Sequence, residues 1–161
     1  MFKNRNLVLI FSLYMMGILS SFLLVSAQKL DMTNTDITFF SILKTFLLNY
    51  WYLFIVWLLG LNFIGFLVDS FIVYFRGFIY GVLIINLIKI NFTYLLVLTI
   101  LELIVFCPMF FFLTFTSMQN SLSIFTKKRK INVNYEKILL FMTILCFIYS
   151  LALEIVGDLY A

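Results

Sequence analysis

The chain has 161 residues, 65% hydrophobic, 20% aromatic and only 11% charged, with a mean hydropathy of +1.15; a soluble globule of this size needs far more polar surface. The formal net charge of +4 comes from positives scattered beside apolar runs, not from a basic stripe, which argues against nucleic acid as a partner. Histidine is absent, which removes Ser-His and Cys-His catalysis, HExxH zinc sites and haem ligation by His.

No Walker Gly-Lys motif is present, so an ATP-driven role would need a partner. Cys107 and Cys146 lie in apolar runs with no CxxC spacing and read as packing thiols. Catalytic residues, metal ligands and cofactors are all expected to be absent.

In chain order, the first apolar run covers residues 7–27 behind Lys3 and Arg5. Val25-Ser26-Ala27 resembles a signal-peptide cleavage site, but the run exceeds the usual 7–15-residue apolar core, and a retained span is the better reading. Residues 28–38 are polar. From Asp36, a candidate helix cap, Phe39, Phe40, Leu43, Phe46 and Leu47 recur at helical spacing among Ser41, Lys44 and Thr45. Residues 36–48 therefore read either as an amphipathic helix on the outer interface or as an extension of the next span.

Residues 49–89 are too long for one span and suit two, 49–65 and 66–88, with Gly60 and Gly65 permitting a reversal between them. Gly77 and Gly81 give the third span a small-xxx-small face for close helix packing. The run from 91 to 126 contains one charge, Glu102, and one proline, Pro108. Two spans here would put Lys127, Lys128, Arg129 and Lys130 outside, against the positive-inside rule. One span, 92–115, kinked at Pro108 and followed by an interfacial tail through Gln119, Asn120 and Ser121, keeps them inside. The last span is 138–157, with Glu154 and Asp158 toward its outer end.

The expected fold is therefore an all-α, polytopic transmembrane bundle forming one domain over residues 1–161. It has five spans, the N-terminus inside and the C-terminus outside. Lys3, Arg5, Arg76, Lys127, Lys128, Arg129, Lys130 and Lys137 fall on the inner side; only Lys29, Lys44 and Lys89 fall outside.

Within 46–81, Phe46-Leu47-Leu48-Asn49 precedes Trp57-Leu58-Leu59-Gly60-Leu61-Asn62-Phe63-Ile64-Gly65, then Arg76-Gly77-Phe78-Ile79-Tyr80-Gly81. This pattern resembles the stage II sporulation protein M family, with its leader ending in Asn, its W-x-L-G-L-x-x-I-G turn and its [KR]-G-x-x-x-G span. The similarity extends from about residue 42 to 125. Many relatives carry H-G-x-x-E-L-P in the fourth span; here Glu102 and Leu103 match, whereas the His, Gly and Pro do not.

The resemblance implies a non-enzymatic, multi-pass subunit of the bacterial cytoplasmic membrane that works with other membrane proteins. The eponymous member anchors a cell-wall-degrading complex during engulfment of the forespore. Short relatives resemble membrane proteins encoded with circular bacteriocins, which act beside an ABC-type ATPase in maturation, export or immunity. Wall hydrolases and an ATPase are thus the partner classes expected, besides the lipid bilayer and a second copy of the chain.

Apart from Glu154 near an outer end, three charged residues fall within spans. Glu102 reads either as a proton or cation site or as an interhelical hydrogen-bonding group, and which protonation state it holds stays open. Asp69 and Arg76 share a helix face but lie about 10 Å apart along it, too far to pair. Interfacial anchoring is the first expectation for both; the alternative turns Arg76 inward to meet Glu102. The basic patch Lys127–Lys130 reads as a topology signal, or as a contact for anionic lipid or a cytoplasmic ATPase. Intramembrane aspartyl proteolysis has little support, since no Gly-x-Gly-Asp context surrounds either acid.

Overall fold

The computed structural model describes residues 2–25, 38–126 and 134–160, and every element in them is helical. These are α1 (Phe2–Leu24), α2 (Phe39–Leu59), α3 (Gly65–Ile90), α4 (Phe92–Leu101), a π-helical turn (Glu102–Phe106), α5 (Cys107–Phe125) and α6 (Tyr135–Tyr160). α4, the π turn and α5 form one rod, so five helices are long and apolar enough to cross a bilayer. The protein is an all-α, multi-pass bundle.

Burial runs opposite to that of a soluble protein. Ser21, Asp69, Glu102, Thr114, Ser117 and Ser121 are buried, while Leu23, Phe71, Ile104 and Leu140 point outward. Hydrocarbon solvates such an exterior, and polar groups must find partners inside. Helix directions alternate as successive crossings require. α1 runs parallel to α3, with Tyr14 beside Gly77 and Ile18 beside Gly81. α2 is antiparallel to α6: Thr45 bonds Glu154 at one end, and Tyr135 Oη donates to the Trp57 carbonyl at 2.9 Å at the other.

The structure redraws two spans. α2 begins at Phe39, and residues 39–48 of the expected amphipathic segment 36–48 are continuous with the span rather than separate from it. Thr38 supplies the cap: Ser41 N–H donates to its side chain at 3.2 Å, and Ser41 Oγ closes the reciprocal bond. Asp36, the expected cap, lies outside the described residues, as does the basic patch Lys127, Lys128, Arg129 and Lys130. The fourth helix runs on to Phe125 rather than ending near 115. Asn120 and Ser121, expected in an interfacial tail, are buried against the other helices.

The kink expected at Pro108 takes the form of a widened turn just before it. Cys107 N–H donates to the Glu102 carbonyl, an i→i+5 bond. Pro108 has no N–H to give the Ile104 carbonyl, and its ring would clash with that carbonyl in a regular helix; one π turn relieves both. The same turn carries Glu102.

The reversal after α2 occupies residues 60–64, outside both helices, so α2 ends at Leu59 rather than 65. Glycine is required here by space, not by dihedral freedom. Gly60 has ordinary helical angles, φ −63° and ψ −15°. A Cβ on Gly60 would collide with the Tyr135 ring and lie 2.9 Å from Ser117 Cα; one on Gly65 would strike the Leu59 backbone. Gly60→Val and Gly65→Val are each expected to destabilise the protein by at least about 1–3 kcal/mol, the cost of overpacking a tight contact. Leu58→Val, at an exposed position, should be near neutral. Thermal unfolding in detergent checks this, and equal midpoints for all three would contradict it.

The α1–α3 contact is the most extensive among the described helices and rests on three glycines. Gly17 faces the Tyr74 carbonyl, with Phe78 N 2.8 Å from where its Cβ would be; Gly77 faces the Tyr14 carbonyl; Gly81 faces Ile18, whose Cα would lie 3.0 Å away. Tyr74 Oη adds a hydrogen bond to Ser20 Oγ at 2.8 Å. Gly77 and Gly81 were legible as a packing face, whereas the matching Gly17 and Ser21 pair on α1, also four residues apart, was passed over; Ser21 Oγ lies nearest to where a Gly81 Cβ would be.

Candidate functional site

The bundle interior holds three polar layers. At the end where residues 60–64 reverse the chain, Asp69 of α3 meets Ser117 of α5. At the far end Thr45 of α2 meets Glu154 of α6. Between them sits the central layer, around Arg76 and Glu102.

Arg76 lies 11 residues into α3, about 17 Å from its start, and so occupies the middle of the helix rather than its inner end. Its side chain turns inward and is 11% exposed; Glu102 is 1% exposed. Arg76 Nη2 donates to Glu102 Oε1 at 2.9 Å and to Oε2 at 3.2 Å. Interfacial anchoring, the first expectation for this arginine, is therefore corrected: two opposite charges in hydrocarbon each cost several kcal/mol alone, and pairing recovers much of it.

Two tyrosines complete the carboxylate. Tyr14 Oη of α1 donates to Oε1 at 3.3 Å, and Tyr149 Oη of α6 makes a short hydrogen bond to Oε2. Glu102 thus accepts four hydrogen bonds and gives none, the pattern of an ionised carboxylate. The guanidinium carbon lies 4.2 Å from the Phe106 ring centroid and 5.6 Å from that of Tyr52, two cation–π contacts. Through Tyr14, Tyr52, Arg76, Glu102 with Phe106, and Tyr149, all five membrane-crossing helices touch this one pair.

Asp69 is also misplaced by the anchoring expectation: it is 0% exposed. Its Oδ2 lies 2.5 Å from Ser117 Oγ, which is itself 2.7 Å from the Val56 carbonyl oxygen of α2. Asp69 Oδ1 and Asn120 Nδ2 have no hydrogen-bond partner among the described residues. Around this layer, Ser121 Oγ accepts from Phe66 N–H at 2.9 Å and Trp57 Nε1 donates to the Tyr135 carbonyl at 3.3 Å. The structure brings Arg76 and Glu102 together and leaves Asp69 in a separate layer.

Sequence reasoning missed Tyr14, Tyr149, Phe106 and Ser117. Their only advance signal is that a mid-membrane carboxylate needs several donors, and hydroxyls on other spans are the donors available. Among the described residues no three of Cys, Asp and Glu gather to hold a metal ion. Cys107 and Cys146 are buried, unpaired thiols. Outside the pair, a cleft of about 290 Å³ bounded by Thr45, Leu48, Asn49, Tyr52, Arg76 and Ile79 reaches the guanidinium from between α2 and α3. A larger apolar groove of about 810 Å³ runs between Pro108 and Phe112 of α5 and Ile138 and Phe141 of α6. No family model, curated protein or solved structure matches the chain.

Proposed function

We propose that the protein is a partner-dependent subunit of the bacterial cytoplasmic membrane that supplies a rigid helical platform and performs no chemistry itself. The observation that carries this reading is the closure of the central layer. The charges of Arg76 and Glu102 are spent on each other and on Tyr14 and Tyr149 inside the bundle, an arrangement suited to locking five helices into one body. The outer face, by contrast, offers apolar relief such as the α5–α6 groove, into which a partner's transmembrane helix could pack. The resemblance of 46–81 to the stage II sporulation protein M family supports a scaffold of this kind, anchoring a wall-remodelling complex.

A second reading takes the chain as a membrane component of circular bacteriocin maturation, export or immunity beside an ABC-type ATPase. The cleft that reaches Arg76 between α2 and α3 favours it, since a pathway needs a polar group accessible from outside the bundle. Purification of the tagged protein from its native membrane in mild detergent separates the two. Wall hydrolases in the complex support the scaffold; an ATPase with further membrane subunits supports the export reading. Recovery of the chain alone after cross-linking in the intact membrane contradicts both.

The proposal includes an orientation, with the connections 60–64 and 126–134 in the cytoplasm and Ala161 outside. It is supported by the placement of Lys127–Lys130 and Lys137; moving Arg76 to mid-span removes one inner positive and leaves the asymmetry. Cysteines introduced at Ser123 and Tyr160, in a variant lacking Cys107 and Cys146, should label from opposite sides of sealed vesicles. Labelling of both from one side would contradict the topology.

A further inference from the structure

The two buried acids differ in their hydrogen count. Glu102 is surrounded by donors only, as described above. Asp69 is not. Ser117 has one hydroxyl hydrogen but sits within hydrogen-bonding distance of two oxygens, the Val56 carbonyl at 2.7 Å and Asp69 Oδ2 at 2.5 Å. A carbonyl oxygen cannot donate, and neither can a carboxylate. If Asp69 were ionised, one of these contacts would press two acceptors together without a hydrogen.

No neighbouring group among the described residues supplies the missing hydrogen. Tyr135 of α6, whose hydroxyl approaches Gly60 next to Ser117, gives its hydrogen to the Trp57 carbonyl. Arg76, the nearest cation on α3, lies about 10 Å further along the helix and donates to Glu102. Asp69 forms no ion pair among the described residues. Its Oδ1 is buried without a partner among the described residues, which a neutral carbonyl oxygen tolerates far better than half of a buried carboxylate.

We propose that Asp69 is a proton-binding site. Asp69 Oδ2–H donates to Ser117 Oγ, and Ser117 Oγ–H donates to the Val56 carbonyl. One proton thereby ties α3 to α5 and α5 to α2, next to the 60–64 reversal. Its release as H⁺ leaves the carboxylate competing with the Val56 carbonyl for the Ser117 hydrogen, and one of the two interhelical bonds is lost. Of the two fully buried acids, Glu102 is thus the charged one that cements the bundle, and Asp69 the neutral one whose proton is exchangeable.

Infrared spectroscopy of the full chain in detergent at neutral pH tests this. The expected spectrum contains the carbonyl stretch of a protonated carboxylic acid. That band should vanish in Asp69→Asn, persist in Glu102→Gln, and move to higher frequency in Ser117→Ala, where the acid hydrogen loses its acceptor. Labelling the unmutated protein with ¹³C-aspartate should move the band to lower frequency, while Asp31→Asn, Asp36→Asn and Asp158→Asn leave it in place. Those last measurements identify the acid even if Asp69→Asn does not accumulate. A spectrum without an acid band, a band the aspartate label does not move, or a band that survives Asp69→Asn would overturn the proposal.

Discussion

Glu102→Gln is expected to destabilise the bundle by about 3–5 kcal/mol, the cost of stranding one member of a buried ion pair. Glutamine nearly preserves the volume, so the loss is electrostatic. It removes the negative charge opposite Arg76, and its amide nitrogen puts a donor where a carboxylate oxygen accepts from Arg76 or Tyr149. The Phe106 and Tyr52 rings remain on the guanidinium, but cation–π contacts return only about 0.5–2 kcal/mol each. Tyr149→Phe removes one neutral hydroxyl and leaves the charges paired, so its cost should stay near 1.5–3 kcal/mol, roughly that of a hydrogen bond to a charged group. Unfolding by a denaturing detergent gives both values. A Glu102→Gln protein as stable as the parent would mean that the carboxyl carries a proton and gives a hydrogen bond rather than accepting four.

The second large effect is expected at Gly77. Gly77→Ala adds a single methyl group, yet its Cβ would land on the Tyr14 carbonyl oxygen, with Tyr14 Cα 3.1 Å away. Backbone has no rotamer with which to yield, so α1 and α3 must separate, and the Tyr14 hydrogen bond to Glu102 goes with them. The loss should reach or exceed about 3 kcal/mol, the upper end of the usual overpacking range. Gly157→Ala makes the same chemical change where the nearest atom, Tyr94 Oη, would be 3.9 Å away. That variant should be neutral or more stable by up to about 1 kcal/mol through helix propensity. Comparing the two midpoints isolates the close approach from the intrinsic preference; equal midpoints would remove the glycine contact from the account.

The spans were legible wherever the apolar run alone decides, because hydrocarbon thickness sets the length a helix must have. The start of α2 was not. Ser41, Lys44 and Thr45 among aromatic residues fit an interfacial helix and a span equally well, and the choice depends on Thr45 reaching Glu154, more than a hundred positions away. Pro108 announced a disturbance in the fourth helix, but not that a π turn would absorb it and carry Glu102. The meeting of Arg76 with Glu102 could be entertained because unpaired charges in a membrane are costly. Its tyrosines could not, since hydroxyls from α1 and α6 follow from packing and leave no local pattern. Asp69 was misread for the opposite reason: a charge symbol near a span end suggests an interface, whereas a carboxyl next to Ser117 needs no interface.

Arg76 and Glu102 form one charged unit on which the five helices close. The full double-mutant cycle of Arg76→Gln and Glu102→Gln tests it most directly, with unfolding free energy in detergent as the readout. The double variant should be more stable than Glu102→Gln alone, with a coupling energy toward the upper end of roughly 0.5–3 kcal/mol, because neither charge is left stranded. Two single effects that simply add, or a double variant no better than the worse single, would show that the pair does not hold the bundle together.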